Sequence, residues 1–399
     1  MKKRMAKKTT TRRAAPPLRK NSKIISIPDC RKFSGYKPCV PGALCHVRCV
    51  DRVPFGKRIL IVNLDAMGAV LQTTAMLPAI KRKYPDSHIS WLTLKNARAL
   101  LEQNLLLDAV YTWEPDTLLI LGNIQFDIVF SIDKTQRACS FVNHLKAKKK
   151  FGFGMNSRGA IVPLTPDAEY FYRIGLDDEL KFRKNRMPGT QIVQEAMGLQ
   201  WKRDEYVLEL STEERAFCKS FKHAHGLDQE DLVVGFNTGC SNLFRNKKMT
   251  IEQHVTLLNR LADEHGVRLV LVGGQEDTER NAEIVRRVGS KVVNTPTEEG
   301  VRKGLCYEAI CDVIITGDSF GMHAAIALKK IVIVWFGLTC WEEIDLYDRG
   351  IKLTPDGLAC APCWKKECPY NLECISMIDL EKIVAATLRY RDAAVRPRH

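Results

Sequence analysis

The stretch CDVIITGDSFGMHAAIALKKIVIVWFGLTC, residues 311–340, places polar side chains where an apolar, strand-like run ends. Gly317 permits a tight turn there, and Asp318 and Ser319 come just before a predicted helix. The free NH groups at such a helix start suit phosphate or sugar oxygens, and the Asp318 carboxylate can accept hydrogen bonds from hydroxyls. The alternative is a plain helix cap at Asp318 or Ser319, with His323 packed in the core.

A second polar turn, FNTGCSNLFRNKKMTIEQHV, residues 236–255, also follows an apolar run. It contains Thr238 and, just before the next predicted helix, Lys247 and Lys248. A lysine in this place can hold a pyrophosphate as a point charge, although an isolated lysine pair usually belongs to a solvated face. Farther along, VGGQEDTER places Glu276 and Asp277 where their carboxylates can take ribose hydroxyls, provided that a nucleotide binds in this half of the chain.

Eight of the 14 cysteines fall in two groups of four. The first group, in a predicted knuckle over residues 358–375, is Cys360, Cys363, Cys368 and Cys374. Its compact spacing, with a proline beside each inner cysteine, suits a tetrahedral thiolate site. The second, looser group, with His46 as a spare ligand, is Cys30, Cys39, Cys45 and Cys49. It is either a second metal knuckle or a set of free or redox-active thiols. Without an export signal, such clusters favour metal over disulfides, and we expect structural zinc or iron.

These candidate residues lie on an alternation of strand-like and helix-like segments. Before residue 200 the strand-like runs are RILIVNL, HISWLTL, AVYTW and FDIVFSI. After residue 230 they are DLVVGFN, RLVLVGG, KVVNT, CDVIITG and KIVIVWFG. Segments with apolar residues at helical spacing separate these runs, which predicts an α/β protein with two successive open parallel sheets.

Two such sheets predict a cleft between them, because open parallel sheets bind ligands outside the carboxyl ends of their strands. The charged residues 201–230 are predicted to connect the two units. None of the glycine turns has a GxGxxG or Walker pattern, which argues against an NAD enzyme and against a phosphate-loop ATPase.

The length of 399 residues is typical of two domains. The formal net charge is +15, but residues 1–23 carry ten Lys or Arg and no acid, which leaves +5 for the rest. We predict a disordered basic arm over residues 1–28 that contacts anionic lipid or RNA, or is merely solvated. No apolar stretch approaches the about 20 residues that span a bilayer, and no apolar segment follows the basic residues as in a signal peptide. We therefore expect a soluble, cytoplasmic protein.

The order of the turns resembles glycosyltransferase family nine, the ADP-heptose:lipopolysaccharide heptosyltransferase family, which has the two-lobed GT-B fold. The family's D-x-x-G-D turn and Thr-rich helix start correspond here to LDAMGAVLQTT, and its K-x-W-P-x-E motif corresponds to KKMTIE. Its GG-x-E-x turn corresponds to GGQED, and its nDTGpmH motif with the later FGpT corresponds to GDSFGMHAAIALKKIVIVWFGLT. The resemblance extends over roughly residues 57–380, and the GDS…H…FG block is its most specific part.

The resemblance implies two Rossmann-like lobes that face a cleft. We place the acceptor domain at residues 57–220 and the nucleotide-sugar domain at residues 221–380. A cysteine-rich segment at residues 29–56 precedes them, and a helix and tail at residues 381–399 follow.

Position by position, the resemblance implies that Lys247 contacts the donor phosphates and that Glu276 faces the nucleotide ribose. It implies that Asp318, Ser319 and His323 hold the sugar and diphosphate, and Thr238 joins the donor-binding candidates. The implied reaction is inverting transfer of a sugar, on the family's pattern heptose from ADP-heptose, to a lipopolysaccharide-core or related glycan acceptor. The chemistry needs no cofactor, because lysine and helix-terminus charge can stabilise the leaving diphosphate. A lipid-linked acceptor would bring the basic arm to an anionic membrane surface at the inner face of the cytoplasmic membrane.

This reaction needs a base that takes the proton of the acceptor hydroxyl. Where the family has its presumed base, an acid directly after the turn glycine, this chain has Ala69 after Gly68. A methyl group cannot take a proton. Asp65 at the end of the strand-like run is our first candidate for the base, and Asp133 in SIDKTQR is the second. Turn capping is the alternative role of Asp65.

Two other functions stay open at this point. One is a catalytically weakened relative that binds a sugar nucleotide as a sensor or scaffold, which Ala69 favours. The other is a metal-stapled nucleic-acid binder that uses the basic arm and the cysteine knuckles. The sequence outside the arm offers few basic residues interleaved with aromatic ones, which argues against nucleic acid as a partner.

Overall fold

The computed structural model describes three stretches of the chain, residues 28–47, 49–227 and 230–395. The predicted basic arm, apart from residue 28, lies outside these described residues. The chain divides into two units, residues 1–55 and residues 56–399.

The smaller unit is built from turns and loops over its described residues. The backbone NH of Arg31 donates to the Val53 carbonyl at 2.8 Å, and the Arg31 guanidinium donates to the carbonyls of Pro54 and Phe55. These bonds connect the two ends of the cysteine-rich segment. Its apolar side chains are largely exposed, and the exposed fraction of Tyr36 is 86%.

In the larger unit, six strands form a first sheet: Lys57–Val62 (β1), Ser87–Thr93 (β2), Ala109–Thr112 (β3), Gln125–Ser131 (β4), Lys146–Met155 (β5) and Ile161–Pro163 (β6). They lie in the order β3-β2-β1-β4-β5-β6, and all neighbours are parallel except β5 and β6. The central strand β1 is buried from Ile59 to Val62, as expected for a strand that helices cover on both faces.

Six further strands form a second sheet: Leu232–Asn237 (β7), Val267–Val272 (β8), Val292–Asn294 (β9), Val313–Gly317 (β10), Ile331–Trp335 (β11) and Gly350–Leu353 (β12). Their order is β12-β11-β10-β7-β8-β9, and every pair is parallel. Both sheets therefore follow the doubly wound order in which the first strand lies at the centre beside the fourth. The predicted α/β class with two open parallel sheets is confirmed.

Fourteen α-helices lie among the described residues, and their bounds are Met67–Thr73 (α1), Met76–Lys83 (α2), Lys95–Arg98 (α3), Pro115–Asn123 (α4), Gln136–His144 (α5), Glu169–Ile174 (α6), Gly189–Ala196 (α7), Thr212–Ala224 (α8), Ile251–Ala262 (α9), Thr278–Val288 (α10), Val301–Ala309 (α11), Phe320–Ala327 (α12), Glu373–Ser376 (α13) and Leu380–Val395 (α14). The helix predicted from IEQHVTLLNRLADEHG is α9. A capping box of Thr250 and Gln253 fixes its start. None of the helices in the described part of the chain is long and apolar enough to cross a membrane.

We call the first sheet with helices α1 to α7 the first lobe, and the second sheet with helices α8 to α14 the second lobe. One hydrophobic core cluster contains residues of both lobes, among them Leu71 of α1 and Met322 of α12. The approach of these two helices is close. A Cβ atom on Gly68 would lie 2.5 Å from Cδ2 of His323, so only glycine fits at this contact.

The predicted connection between the lobes, residues 201–230, contains α8. Ahead of that helix, the Arg203 guanidinium pairs with Asp345 at 2.8 Å and with Asp348 at 2.7 Å. Arg349 pairs with Glu205 at 2.8 Å. Asp204 of the same connection pairs with Arg82 of the first lobe, so the charged composition of this connection serves ion pairs with both lobes.

Candidate functional site

In each sheet the order of the strands reverses beside the central strand. Doubly wound folds bind ligands at such a reversal of strand order. In the first sheet the reversal lies between β1 and β4, which are followed by Asp65 and Asp133. In the second sheet it lies between β7 and β10, which are followed by Thr238 and Asp318. The fold thus brings the acids of the first lobe to one edge and the polar turns of the second lobe to another.

In the second lobe, Lys247 and Asp318 form an ion pair. Lys247 Nζ lies 2.8 Å from Asp318 Oδ2, and each side chain is 15% exposed. Burial acts to raise the pKa of Asp318, but Lys247, His323 and Thr339 together outweigh it, so this pKa lies below its usual value. The pair is an ionised, largely desolvated contact whose lysine can exchange a carboxylate for a phosphate.

Ser319 precedes α12 but makes no side-chain cap to it. Its hydroxyl accepts a hydrogen bond from Asn237 Nδ2 at 2.8 Å, and it lies 3.3 Å from Thr316 Oγ1. The NH groups in the first turn of α12 are therefore free of a side-chain cap at this position, which leaves them available for an anion.

His323 lies one turn into α12 and contacts the first lobe. Its ring stacks on Tyr206 with a centroid distance of 6.0 Å, and its Nδ1 is 3.3 Å from the Tyr206 hydroxyl. Burial lowers the pKa of His323 to about 4. At neutral pH this imidazole is uncharged, so it can orient a ligand by hydrogen bonding but supplies no positive charge to a diphosphate.

The other donor-binding candidates take different positions. The Thr238 hydroxyl donates to Asn281 Oδ1 at 2.5 Å inside the lobe. Glu276 is exposed, and its carboxylate accepts from the Asn242 NH at 3.0 Å. Lys248 lies 3.2 Å from Asp277, at 13% exposure of the lysine side chain. Neither Lys247 nor Lys248 therefore belongs to a solvated face, and only Glu276 keeps an open carboxylate.

In the first lobe, Asp65 and Asp133 are both engaged. Arg137 Nη2 lies 3.2 Å from Asp65 Oδ2, and the Asp65 side chain is 38% exposed. Asp133 is 6% exposed, and its carboxylate accepts from the Leu64 NH. Burial raises the pKa of Asp133 to about 6, the Leu64 bond opposes this, and the charge of Asp65 adds to it. Asp133 therefore faces inward, whereas Asp65 stays accessible beside an arginine.

The structure adds three charged side chains that the sequence interpretation did not single out. Lys134 Nζ lies 3.8 Å from the ring centroid of Phe171, and burial lowers its pKa to about 8. Lys181 Nζ lies 3.9 Å from Glu343 Oε1. Glu343 and Lys134 are close enough to influence each other's pKa. Lys134 directly follows Asp133 in the chain, but no local pattern marks Lys181 or Glu343.

Trp364, within the knuckle of residues 358–375, lies beside lysines of both lobes. The distances from its ring centroid are 4.5 Å to Lys181 Nζ and 5.7 Å to Lys247 Nζ. Arg183 of the first lobe donates to the carbonyls of Ala359 and Ala361 at 2.7 and 2.8 Å. The knuckle therefore contacts the first lobe next to the Lys247 and Asp318 pair.

The four cysteines of this knuckle line one small cavity, together with Tyr370 and Glu373. Burial raises the pKa of Cys374 to about 11, and the other three thiols contribute. In the smaller unit, burial and the three neighbouring thiols likewise raise the pKa of Cys45. Within the described residues, however, no group of three or more His, Cys, Asp or Glu side chains is placed to hold a metal ion. The thiols of each group are neighbours, but they do not converge on a common centre.

One known protein family matches this chain over parts of both lobes. The family model described as glycosyltransferase family 9 (heptosyltransferase) matches residues 120–373, which is more than half of the chain.

Two curated relatives are similar over part of the chain. The lipooligosaccharide heptosyltransferase 2 of Campylobacter jejuni is 27% identical over 157 residues, which cover 38% of this chain and 49% of that protein. The lipopolysaccharide core heptosyltransferase OpsX of Haemophilus influenzae is 22% identical over 280 residues, or 67% of this chain and 76% of that protein. The chain thus spans about half the length of the first of these relatives.

Solved structures share the fold at low sequence identity. A glycosyl transferase family 9 structure from Veillonella parvula has a TM-score of 0.66 at 20% identity and covers 84% of this chain and 97% of its own. The ADP-heptose lps heptosyltransferase II of E. coli has a TM-score of 0.59 at 17% identity, with coverages of 84% and 99%. The iron-containing dodecameric glycosyltransferase TibC of E. coli has a TM-score of 0.51 at 11% identity, with coverages of 85% and 77%. These likenesses show that the chain shares its two-lobed fold with all three structures.

Proposed function

Because the chain belongs to glycosyltransferase family 9, the heptosyltransferase family, we propose that it transfers a sugar from a nucleotide-diphosphate donor to a glycan acceptor with inversion. The observation that carries the proposal is the Lys247 and Asp318 pair at the reversal of the second sheet. It places a desolvated cation beside a carboxylate and the start of α12, a combination that suits a diphosphate bound to a sugar.

In this proposal Lys247 moves its charge from Asp318 to the leaving diphosphate. The negative charge that develops as the glycosidic bond breaks is stabilised by the ammonium and by the NH groups of α12. Asp318, once released, accepts hydrogen bonds from sugar hydroxyls. His323, held by Tyr206, orients the donor as a neutral partner.

For the donor and acceptor we propose heptose from ADP-heptose and a lipopolysaccharide-core oligosaccharide. The names of the relatives from Campylobacter jejuni and Haemophilus influenzae support this assignment, as does the name of the E. coli structure. A lipid-linked acceptor also agrees with the basic residues 1–23, which would attract an anionic membrane surface.

We also propose a structural zinc or iron at the knuckle of residues 358–375. Four thiols around one cavity support it, and no step of the reaction is assigned to a metal. Metal analysis of the purified protein tests this directly. About one ion per chain that is lost on substitution of Cys363 and Cys368 by serine supports the site, and a metal-free protein contradicts it.

The experiment that tests the activity offers the protein a panel of mass-resolved nucleotide sugars, with and without a lipopolysaccharide-core acceptor. Release of nucleoside diphosphate that depends on the acceptor is the expected result. Lys247→Met should lower turnover by about two orders of magnitude, as for the loss of one transition-state charge contact. Lys366→Met, an exposed lysine of the knuckle, is the matched control and should change little.

The lack of a carboxylate at Ala69 favours a second candidate function, in which the protein is a weakened relative that binds the donor as a sensor or scaffold. The same experiment separates the two functions. Donor binding that Lys247→Met weakens, together with no release from any donor, would overturn the transferase proposal and support the sensor.

A further inference from the structure

The reaction proposed above lacks a base at position 69, and the structure shows what lies next to that position. Ala69 and Gln72 are three residues apart on α1, so both lie on one face of that helix. Ala69 is exposed, whereas the Gln72 amide donates to the Glu343 carbonyl at 3.2 Å. Glu343 therefore lies beside the helix face from which the family's acid is missing.

The Glu343 carboxylate also lies between groups of both lobes. Lys181 of the first lobe is 3.9 Å from its Oε1, and Lys134 of the first lobe and Asp318 of the second are near enough to influence its pKa. The side chain is 26% exposed, so it is largely desolvated but still reachable. This position is where a sugar held by Asp318 would meet an acceptor held by the first lobe.

The two acids suggested by the sequence suit the role less well. The Asp65 carboxylate is paired with the Arg137 guanidinium at 3.2 Å, so one of its oxygens is already engaged. Asp133 is 6% exposed and accepts from the Leu64 NH, so its carboxylate points into the lobe. Burial raises the pKa of Glu343, against the opposing charges of Lys181 and Lys134, which favours proton uptake by a carboxylate that, unlike that of Asp133, is still partly exposed.

We propose that Glu343 is the general base that takes the proton of the acceptor hydroxyl, an inference that rests on the proposed transferase function. As the proton passes to the Glu343 carboxylate, the acceptor oxygen forms its bond to the anomeric carbon. The bond from that carbon to the diphosphate breaks, and its electron pair leaves with the nucleoside diphosphate beside Lys247. The protonated Glu343 then returns its proton to solvent.

The test compares Glu343→Gln with Glu342→Gln, its neighbour in the chain. Glu342 has a 36% exposed side chain and only a long contact of 3.8 Å to Arg186, so it is a matched control for the loss of one carboxylate. We expect Glu343→Gln to lower kcat by about 100- to 10,000-fold, as for the loss of a general base, with donor affinity within about twofold of the unchanged protein. Glu343→Asp should recover part of the lost rate, and Glu342→Gln should keep the rate within about twofold.

Donor affinity is measured by calorimetric titration with the nucleotide sugar, and folding is checked by thermal unfolding of each variant. A Glu343→Gln variant with normal kcat would overturn the inference but leave the transferase function standing. Equal losses of kcat and donor affinity in Glu343→Gln would also overturn the inference, because they would mean that Glu343 binds the donor. Asp65→Asn distinguishes the competing base: loss of turnover there, with normal turnover in Glu343→Gln, assigns the base to Asp65. A wild-type chain that binds donor but transfers to no acceptor overturns both proposals together.

Discussion

At the scale of single residues, the properties of the site depend on how burial and neighbouring charges shift the pKa of each side chain. Pairing with Lys247 at 2.8 Å helps to hold the pKa of Asp318 below its usual value, whereas burial lowers the pKa of His323 to about 4 against the opposing charge of Asp318. Asp318 and Lys247 could be suggested from the sequence, since each follows a strand-like run. Their pairing could not, because it depends on β7 and β10 lying side by side.

Asp133 makes the stability of the protein depend on pH. Its pKa of about 6 lies above the ordinary value of 3.8, so the fold favours the protonated carboxyl. The free energy of unfolding that protonated Asp133 contributes is complete below about pH 4 and is lost as the pH rises through about 6. Asp133→Asn should remove this dependence, so that the free energy of unfolding of the variant gains about 3 kcal/mol relative to wild type between pH 4 and pH 7. Denaturant unfolding at both pH values measures it, and parallel changes in the two proteins would contradict the prediction.

At the scale of elements, the buried strands were predictable because a strand covered on both faces is a continuous apolar run. Strand β5 was not, since its first residues are KAKKK, and their lysines are largely exposed at that end of the strand. The short strands β6 and β12 were not predicted either, because Pro163 ends the first and Gly350 and Lys352 interrupt the apolar pattern of the second. Glu343 was missed for a related reason. It lies in a short 3-10 helix after β11, and Gln72 and Lys181, which contact it, are far from it in the chain, so local sequence does not mark it.

Two glycine substitutions should change the stability in opposite directions, because Gly68 lies at the contact between α1 and α12 and Gly122 faces open space. Gly68→Ala would put a Cβ atom 2.5 Å from Cδ2 of His323, so we expect about 1–3 kcal/mol of destabilisation and a loss of donor affinity. Gly122→Ala in α4 is the control, because a Cβ atom there meets nothing within 4 Å. It should stabilise the protein by about 0.5–1 kcal/mol through helix propensity. Denaturant unfolding compares both variants, and a neutral Gly68→Ala would show that the helices can separate at no cost.

At the scale of the larger unit, the two lobes are joined by a shared core as well as by the chain. Leu71 and Met322 belong to one cluster, and Arg203 ties the connection to Asp345 and Asp348. Domains that only touch through a polar interface unfold separately, but lobes with a common apolar core lose it together.

We therefore predict that residues 56–399 unfold in one cooperative transition. Differential scanning calorimetry should give a van't Hoff enthalpy for that transition equal to the calorimetric one. Met322→Ala, which opens the shared core, should lower the single midpoint without splitting it and should cost about 2–5 kcal/mol. Two separate transitions, each shifted by only one set of core variants, would contradict this view of the lobes.

Glu343 and Lys247 both belong to the second lobe, where they follow β11 and β7 of the same sheet. In a transferase with its base after the first glycine turn, the base and the leaving-group contact lie on different lobes, so the distance between them depends on how the lobes are oriented. In this chain Glu343 and Lys247 would move as parts of one lobe, so the distance between them would not depend on how the two lobes are oriented. Opening and closing of the molecule would then control only the delivery of the acceptor hydroxyl, and the acceptor lobe would be free to diverge without disturbing bond cleavage.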